Sequence, residues 1–239
     1  MDLKDLDIVY FVKNAGINEE LRYSLRSVDK NLPNNRVWIY GGCPQMLHPD
    51  KFVLIKQVGQ TKWDKVQSMI REVAMNEEIT ENFILMNDDF FILKPIKKLP
   101  AYYRSSLYEH IVKIEMKYGN TPNAYTSELR KVCKALDEKR MSVRSYELHI
   151  PIVLNRHKIL EVLGAFPGYH CTRTLYGNYC QLGGERRSDV KVFEAGQPFD
   201  RDGDFLSTED ETFATGEVGK FLKSTFREKS RFERKDSND

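Results

Sequence analysis

The residues best suited to chemistry are polar runs set abruptly into apolar sequence. Asn87-Asp88-Asp89 separates Phe83-Ile84-Leu85-Met86 from Phe90-Phe91-Ile92-Leu93, and Lys94-Pro95 closes the stretch. Apolar runs of this length predict buried strands. Two adjacent carboxylates there repel each other and lose hydration, so they require a compensating partner. A divalent cation is one such partner. Mg²⁺ and Mn²⁺ take oxygen ligands, and Mg²⁺ commonly uses one or two carboxylates together with substrate phosphates. Strand alternation would put Asn87 and Asp89 on one face and Asp88 on the other, so one or two of them reach the same ion. The competing reading is a turn in which the aspartates cap backbone amides.

His149 precedes the apolar run Ile150-Pro151-Ile152-Val153-Leu154. Its imidazole suits removal of a proton from a sugar hydroxyl near neutral pH, and suits a structural hydrogen bond equally well. Arg22, Arg26 and Arg173 offer planar guanidinium forks that match phosphate oxygens; the alternative for each is a surface ion pair. Glu209-Asp210-Glu211, behind Phe205-Leu206, could add a metal ligand or a base, or form a solvated turn.

Composition narrows the classes. Across 239 residues, 41% hydrophobic and 30% charged content fits a globular chain with a sizeable core. A net charge of +2 gives no bulk attraction for nucleic acid. No apolar run reaches the roughly 18–20 residues of a membrane span. Met1-Asp2-Leu3-Lys4-Asp5 lacks a signal core, so the expectation is a cytoplasmic protein. Cys43, Cys133, Cys171 and Cys180 form no Cys-x-x-Cys pair and read as reduced, buried thiols; His170-Cys171 with Cys180 lacks a fourth zinc ligand. Dinucleotide, phosphate-loop and serine-hydrolase signatures are missing.

The elements that must position these groups follow from periodicity. Asp7–Val12 reads as a strand, Asn18 as the N-cap of a helix carrying Leu21, Leu25 and Val28, and Arg36–Tyr40 and Phe52–Ile55 as further strands. A helix over 62–76 repeats Val66, Met69, Ile70 and Val73. Strands alternating with helices predict an α/β fold with a mostly parallel sheet, whose ligands bind beyond the carboxyl ends of the strands. From about 101 to 147 the pattern is a helical insertion, with Leu107, Ile111, Ile114 and Met116 on one helix and Leu129, Val132, Cys133 and Leu136 on another. It could form a wall of an acceptor site. The stretch 183–204 reads as a surface loop, and the chain as one domain over 1–232 with a fraying polar tail at 233–239.

The ordered segments "DIVYFV", "NEELRYSLRSV", "ILMNDDFFILKP", "HIPIVLNR", "HCTRTLYGNYC", "FLSTEDETF" and "FREKSRFE" resemble the Stealth family of sugar-1-phosphate transferases, over nearly the whole chain. "ELRYSLRS" and "NDDFF" are the most specific pieces. The resemblance implies that Asp88 and Asp89 bind metal and that His149, Arg173 and Asp210 act in catalysis, with Mg²⁺ or Mn²⁺ and a nucleotide-diphosphate sugar as cofactor and donor. Arg22, Arg26 and Asp88 are the expected donor-binding residues. Where the family's first motif continues Trp-Val-Asp-Gly, this chain has Phe11-Val12-Lys13-Asn14. The compact form is similar to glycosyltransferase-A fold enzymes, including bacteriophage ones. That similarity implies a second reaction, transfer of the sugar itself to a glycan or to a hydroxymethylated base in phage DNA. A local basic strip from Lys113 to Arg144 would serve the DNA acceptor. A nucleotide-sugar-binding protein without catalysis is the third reading.

Overall fold

The computed structural model describes residues 2–13, 16–55, 58–119 and 123–234. Asn14, in the altered first motif, lies outside them, as do Asn120-Thr121-Pro122 of the loop in the helical insertion and tail residues 235–239. Through the first half the chain runs β1 (Asp7–Val12), α1 (Glu19–Asn31), β2 (Val37–Gly41), β3 (Lys51–Val53), α2 (Lys62–Met75), β4 (Asn82–Asn87) and β5 (Phe90–Ile92). Next come β6 (Tyr102–Tyr103), β7 (Ser105–Ser106), α3 (Leu107–Tyr118), α4 (Ala124–Glu138) and β8 (Arg144–Ser145). The remainder is β9 (Ile152–Asn155), α5 (Arg156–Ala165), α6 (Thr172–Tyr179), β10 (Glu185–Arg186), β11 (Lys191–Val192), β12 (Phe205–Thr208), α7 (Asp210–Thr215) and α8 (Glu217–Thr225).

The expected α/β class is what the chain adopts. A five-stranded sheet has the order β3-β2-β1-β4-β9, parallel throughout except for β9. Period-two alternation sorts its side chains to two cores. Val9, Trp38, Tyr40, Phe83 and Leu85 face α2, α4, α5 and α6, whereas Ile8, Tyr10, Ile39, Ile84 and Met86 face Leu21, Leu25 and Val28 of α1. The chain leaves β1 toward β2 and β3, then returns to place β4 on the other side of β1. This reversal opens a crevice beyond the carboxyl ends of β1 and β4.

Several expectations shift for physical reasons. The third strand is Lys51–Val53, an edge strand on which Phe52 is exposed, rather than Phe52–Ile55. Val66 and Met116 share a helical period with core residues yet are exposed, because the buried stripes are narrower than the apolar ones. The stretch 183–204 is not a plain surface loop. It contains β10 and β11, and β11 joins β12 and β5 in a three-stranded sheet. That sheet is packed on α7 and α8 through Phe91, Leu206, Phe213 and Leu222.

Arg22 and Arg26, expected to hold donor phosphate, both pair with a carboxylate in this structure. Arg22 Nε donates to Glu233 Oε2 at 2.6 Å, and Arg26 grips the same carboxylate through Nε (2.7 Å) and Nη2 (2.7 Å). Glu233, expected to begin the fraying tail, is therefore buried, its side chain 1% exposed. A guanidinium needs a buried anion once it is itself buried, and the chain supplies one 207 residues away from Arg26.

Removing one partner of such a pair leaves uncompensated buried charge, so Glu233→Gln is expected to lower stability by about 3 kcal/mol. Burial acts to raise the Glu233 carboxyl, but hydrogen bonds from Arg26, Arg22 and the Ser230 amide outweigh it and bring it down to about 2. The folded value lies below the ordinary 4.5, so the stabilisation is complete above that pH and is lost as pH falls toward 2. Urea denaturation of both proteins should show the stability gap at about pH 7 narrowing by about pH 3. An unchanged midpoint at neutral pH would show that the clasp contributes nothing.

Candidate active site

The turn between β4 and β5 carries Asp88 and Asp89, so strand alternation ends at Asn87 and does not sort the three side chains as expected. Asn18 Nδ2 donates to Asp88 Oδ2 at 2.7 Å, while Asn18 Oδ1 caps α1 by accepting from the Leu21 amide. One amide side chain thus holds the turn against a helix N-terminus, where negative charge is favoured. Asp89 Oδ2 accepts from Lys191 Nζ at 2.9 Å and from Ser207 Oγ at 3.1 Å. The strand register explains this convergence. Ser207 is opposite Phe90, the residue after Asp89, and Lys191 is opposite Ser207.

Lys191 also reaches Glu209 at 2.9 Å. Burial would lower its ammonium, but Asp89 and Glu209 outweigh that and hold it above its ordinary value. Behind this pair stands Glu20, which sequence reasoning missed although it lies in "NEELRYSLRSV". Its carboxyl is pushed up to about 8, first by burial and further by Asp210 and Asp89; a hydrogen bond from Thr208 works the other way. Burial likewise raises Asp88, reinforced by Asp89 and Asp210 and opposed by the Asn18 hydrogen bond. Glu20, Asp88, Asp89 and Asp210 therefore form one electrostatic group.

The donor set is chemically suited to a hard cation bound as Mg²⁺ commonly is, by one or two carboxylates with the rest from phosphate and water. Among the described residues no three or more acidic, His or Cys side chains converge as a closed metal site. Asp88 and Asp89 fit as the one or two protein ligands, with Lys191 competing for Asp89.

His149 is fixed by a residue absent from the expected set. Its backbone amide donates to Asp189 Oδ1 (3.0 Å), and its Nδ1 is 2.8 Å from Asp189 Oδ2. Arg104 Nη1 donates to the same Asp189 oxygen at 2.9 Å. Burial would raise the Asp189 carboxyl, but the His149 bonds and charge, with Arg104, bring it down to about 2. An ionised carboxylate only accepts, so His149 Nδ1 carries the proton and Nε2 is left to receive one. Asp210, expected to orient His149 or assist the metal, starts α7 beside Glu20 and within the acidic group around Asp88. Asp189 carried no sequence signal beyond its place in a charged, glycine-rich stretch.

Arg173 lies in the first turn of α6, donates to the Ile150 carbonyl and has its guanidinium carbon 5.6 Å from the Phe90 ring centroid. Its Nε is buried without a hydrogen-bond partner. Burial pushes its pKa down to about 10, against the pull of Glu147, Asp189 and Asp89. Close packing sets its position: a Cβ at Gly177 of α6 would sit 2.3 Å from the Tyr146 ring, three residues before His149.

A cavity of about 760 Å³, within the range of small-molecule sites, lies beside these groups, although Asp88 and Asp89 are not among its lining residues. His149, Arg173, Asn87, Lys191 and Glu209 line it, together with Lys113 and Lys117 of α3. His149 is packed edge-on against Phe90 (6.3 Å) and Phe193 (5.9 Å). An oriented imidazole beside several cations can take a proton from a hydroxyl while anionic oxygens are held close by.

No family model and no curated protein matches the chain. Among solved structures it is similar to the apo structure of WbbM, a bifunctional glycosyltransferase, at 9% identity and a TM-score of 0.45, over 98% of this chain and 46% of that one. It is also similar to the apo form of the glycosyltransferase GlyE of Streptococcus pneumoniae TIGR4 (10% identity, 77% and 45% covered, TM-score 0.33). Mouse xyloside xylosyltransferase 1, also in its apo form, is similar at 10% identity, with 96% of each chain covered and a TM-score of 0.33. The chain spans about half the length of WbbM and of GlyE. Among the described residues no helix is long and apolar enough to cross a membrane.

The Asp189 contact predicts the tautomer of His149. Nitrogen NMR of the imidazole should show the proton on Nδ1 in the native protein. In Asp189→Asn, whose amide can also donate, the Nε2–H form should become populated. A native protein with the proton on Nε2 would remove the basis for the dyad.

Proposed function

We propose that the chain is a nucleotide-sugar-dependent transferase that moves a sugar-1-phosphate to an acceptor hydroxyl, the Stealth-type reaction. The observation that carries this reading is the His149–Asp189 dyad, set with Arg173 and Lys191 in one cationic cavity beyond the carboxyl ends of a parallel sheet. His149 Nε2 takes the acceptor proton, and Asp189 stabilises the imidazolium that forms. The acceptor oxygen bonds to the phosphorus next to the sugar, and the bond from that phosphorus to the nucleoside monophosphate breaks. Arg173, and Lys191 where it turns from Asp89, stabilise charge on the phosphoryl oxygens. When bound by Asp88 and Asp89, Mg²⁺ or Mn²⁺ supplies further positive charge against the diphosphate. A glycan hydroxyl is the acceptor class that this chemistry serves.

Arg22 and Arg26 have no part in this scheme, since both are committed to Glu233. Asp210 acts on the acidic group through Glu20 rather than on the imidazole.

The decisive experiment incubates the purified protein with a panel of nucleotide sugars, Mn²⁺ and glycan or hydroxymethylated-DNA acceptors, with products read by mass spectrometry. The expected outcome is release of nucleoside monophosphate and gain of a sugar phosphate by the acceptor. Release of nucleoside diphosphate with gain of sugar alone would instead establish a glycosyltransferase. His149→Ala should lower turnover by about two to four orders of magnitude while leaving thermal unfolding unchanged. Full activity in that variant would refute the role given to the base.

A further inference from the structure

We propose that Trp63 is the platform on which the nucleobase of the donor stacks, an inference that rests on the nucleotide-sugar reading above. Trp63 and Lys62 open α2 and line the 760 Å³ cavity. A reciprocal box between Thr61 and Asp64 fixes that first turn: the Thr61 hydroxyl accepts from the Asp64 amide, and the Asp64 carboxylate accepts from the Thr61 amide. The indole is held from behind. The His170 ring stacks on it, with centroids 5.6 Å apart and planes at 27°.

His170 is itself anchored. Its backbone amide donates to Glu128 Oε1 at 2.7 Å, and its Nε2 lies 3.7 Å from Asp64 Oδ1. Its Nδ1 is buried with no hydrogen-bond partner. Such an orphan is rare in a folded protein, and here it accompanies a ring kept nearly parallel to Trp63. An aromatic face held in this way loses little freedom when a second flat ring settles on it.

The surrounding charge selects the ligand class. Six cationic side chains line the cavity, Lys62, Arg104, Lys113, Lys117, Arg173 and Lys191, against two lining carboxylates, Glu147 and Glu209; Arg104, Lys113, Lys117 and Lys191 also pair with carboxylates outside the lining. A flat apolar face beside an excess of cations matches a molecule that joins an aromatic ring to phosphates. The Lys62 ammonium lies over the Trp63 ring, 5.7 Å from its centroid, and adds positive charge beside the indole.

The protein contains two tryptophans, which makes the test direct. Trp38 is 2% exposed, and its indole donates to Asp7 at the amino end of the sheet, away from the cavity. Fluorescence changes on ligand binding therefore report Trp63. Uridine, cytidine, adenosine and guanosine diphosphates would be titrated against the full chain, alongside pyrophosphate and a free hexose, with calorimetry in parallel. At least one nucleoside diphosphate should quench the emission, and neither pyrophosphate nor hexose should. Trp63→Ala should weaken that nucleotide by about tenfold or more, the usual scale of base–aromatic stacking. Trp63→Phe should abolish the quench while keeping affinity within about threefold, because a π-face remains. Trp63→Leu replaces the alanine variant if the latter fails to fold.

Equal quenching by pyrophosphate or by hexose would overturn the base platform. Calorimetric binding of a nucleoside diphosphate undiminished in Trp63→Ala would overturn it too, while leaving the donor reading intact. Absence of any nucleotide binding to the native chain would overturn both.

Discussion

Keeping two neighbouring carboxylates at the end of a buried strand is the constraint from which the rest of the site follows. Asp88 and Asp89 sit where β4 leaves the core, and neither can remain charged there without a partner. The chain meets this by dividing them. Asp88 is held by the N-cap of α1, and Asp89 by Lys191 and Ser207 of the small sheet. The acidic turn therefore binds three parts of the fold together: the first helix, the central sheet and the late strands that carry the remaining machinery.

That division also fixes distances within the site. Asp189 lies two residues before Lys191, so the segment that neutralises Asp89 is the one that orients His149. A shift of β11 relative to β5 would disturb the acid pair and the imidazole together. Electrostatics reinforce the coupling. Asp189 stays ionised because it collects the Arg104 guanidinium and the His149 hydrogen bonds, whereas Glu20, deeper in the acidic group and facing Asp210 and Asp89, is held near neutrality with its carboxyl at about 8. The same side-chain chemistry is pushed in opposite directions by its neighbours.

How much of this the sequence reveals depends on whether a local pattern exists. Asp7–Val12 was legible by its apolar composition, the Asn18 cap by residue type ahead of two glutamates, and the α2 helix by its helical period. His149 and Arg173 stood out by residue type within short motifs, and the structure brings both to one cavity. Asp189 and Lys191 did not stand out, since a two-residue strand shows no periodicity and a charged, glycine-rich stretch looks like solvated loop. The case of Arg22 and Arg26 is different in kind. A guanidinium that binds phosphate and one that clasps a distant carboxylate look the same in sequence, and only the fold brings Glu233 to α1. Of the two roles expected for Asp210, orienting the imidazole falls to Asp189, while its place beside Glu20 and Asp88 suits the other, assisting the metal; chain order does not show which acid reaches the imidazole.

The helical insertion reaches the His149–Asp189 dyad through a single charge. Arg104, between β6 and β7 where the insertion begins, donates to the Asp189 oxygen that faces His149 Nδ1. At the other end of the insertion, Ser145 of β8 is hydrogen-bonded to His110 of α3 at 2.8 Å, and burial holds that imidazole down to about 4, so it is neutral at physiological pH. The insertion touches the dyad through Arg104, and Leu107, Ile111, Leu129, Val132 and Leu136 tie it to the core that also holds Val9 and Phe83. The lysines it adds to the cavity, Lys113 and Lys117, stand on α3, outside the central sheet. Both lysines are exposed, so a change of charge at either position leaves the packing of the strands that set Asp89, Asp189 and His149 intact. The α/β core then keeps one geometry at the Asp89, Lys191 and His149 cluster while exposed charge on α3 varies beside it.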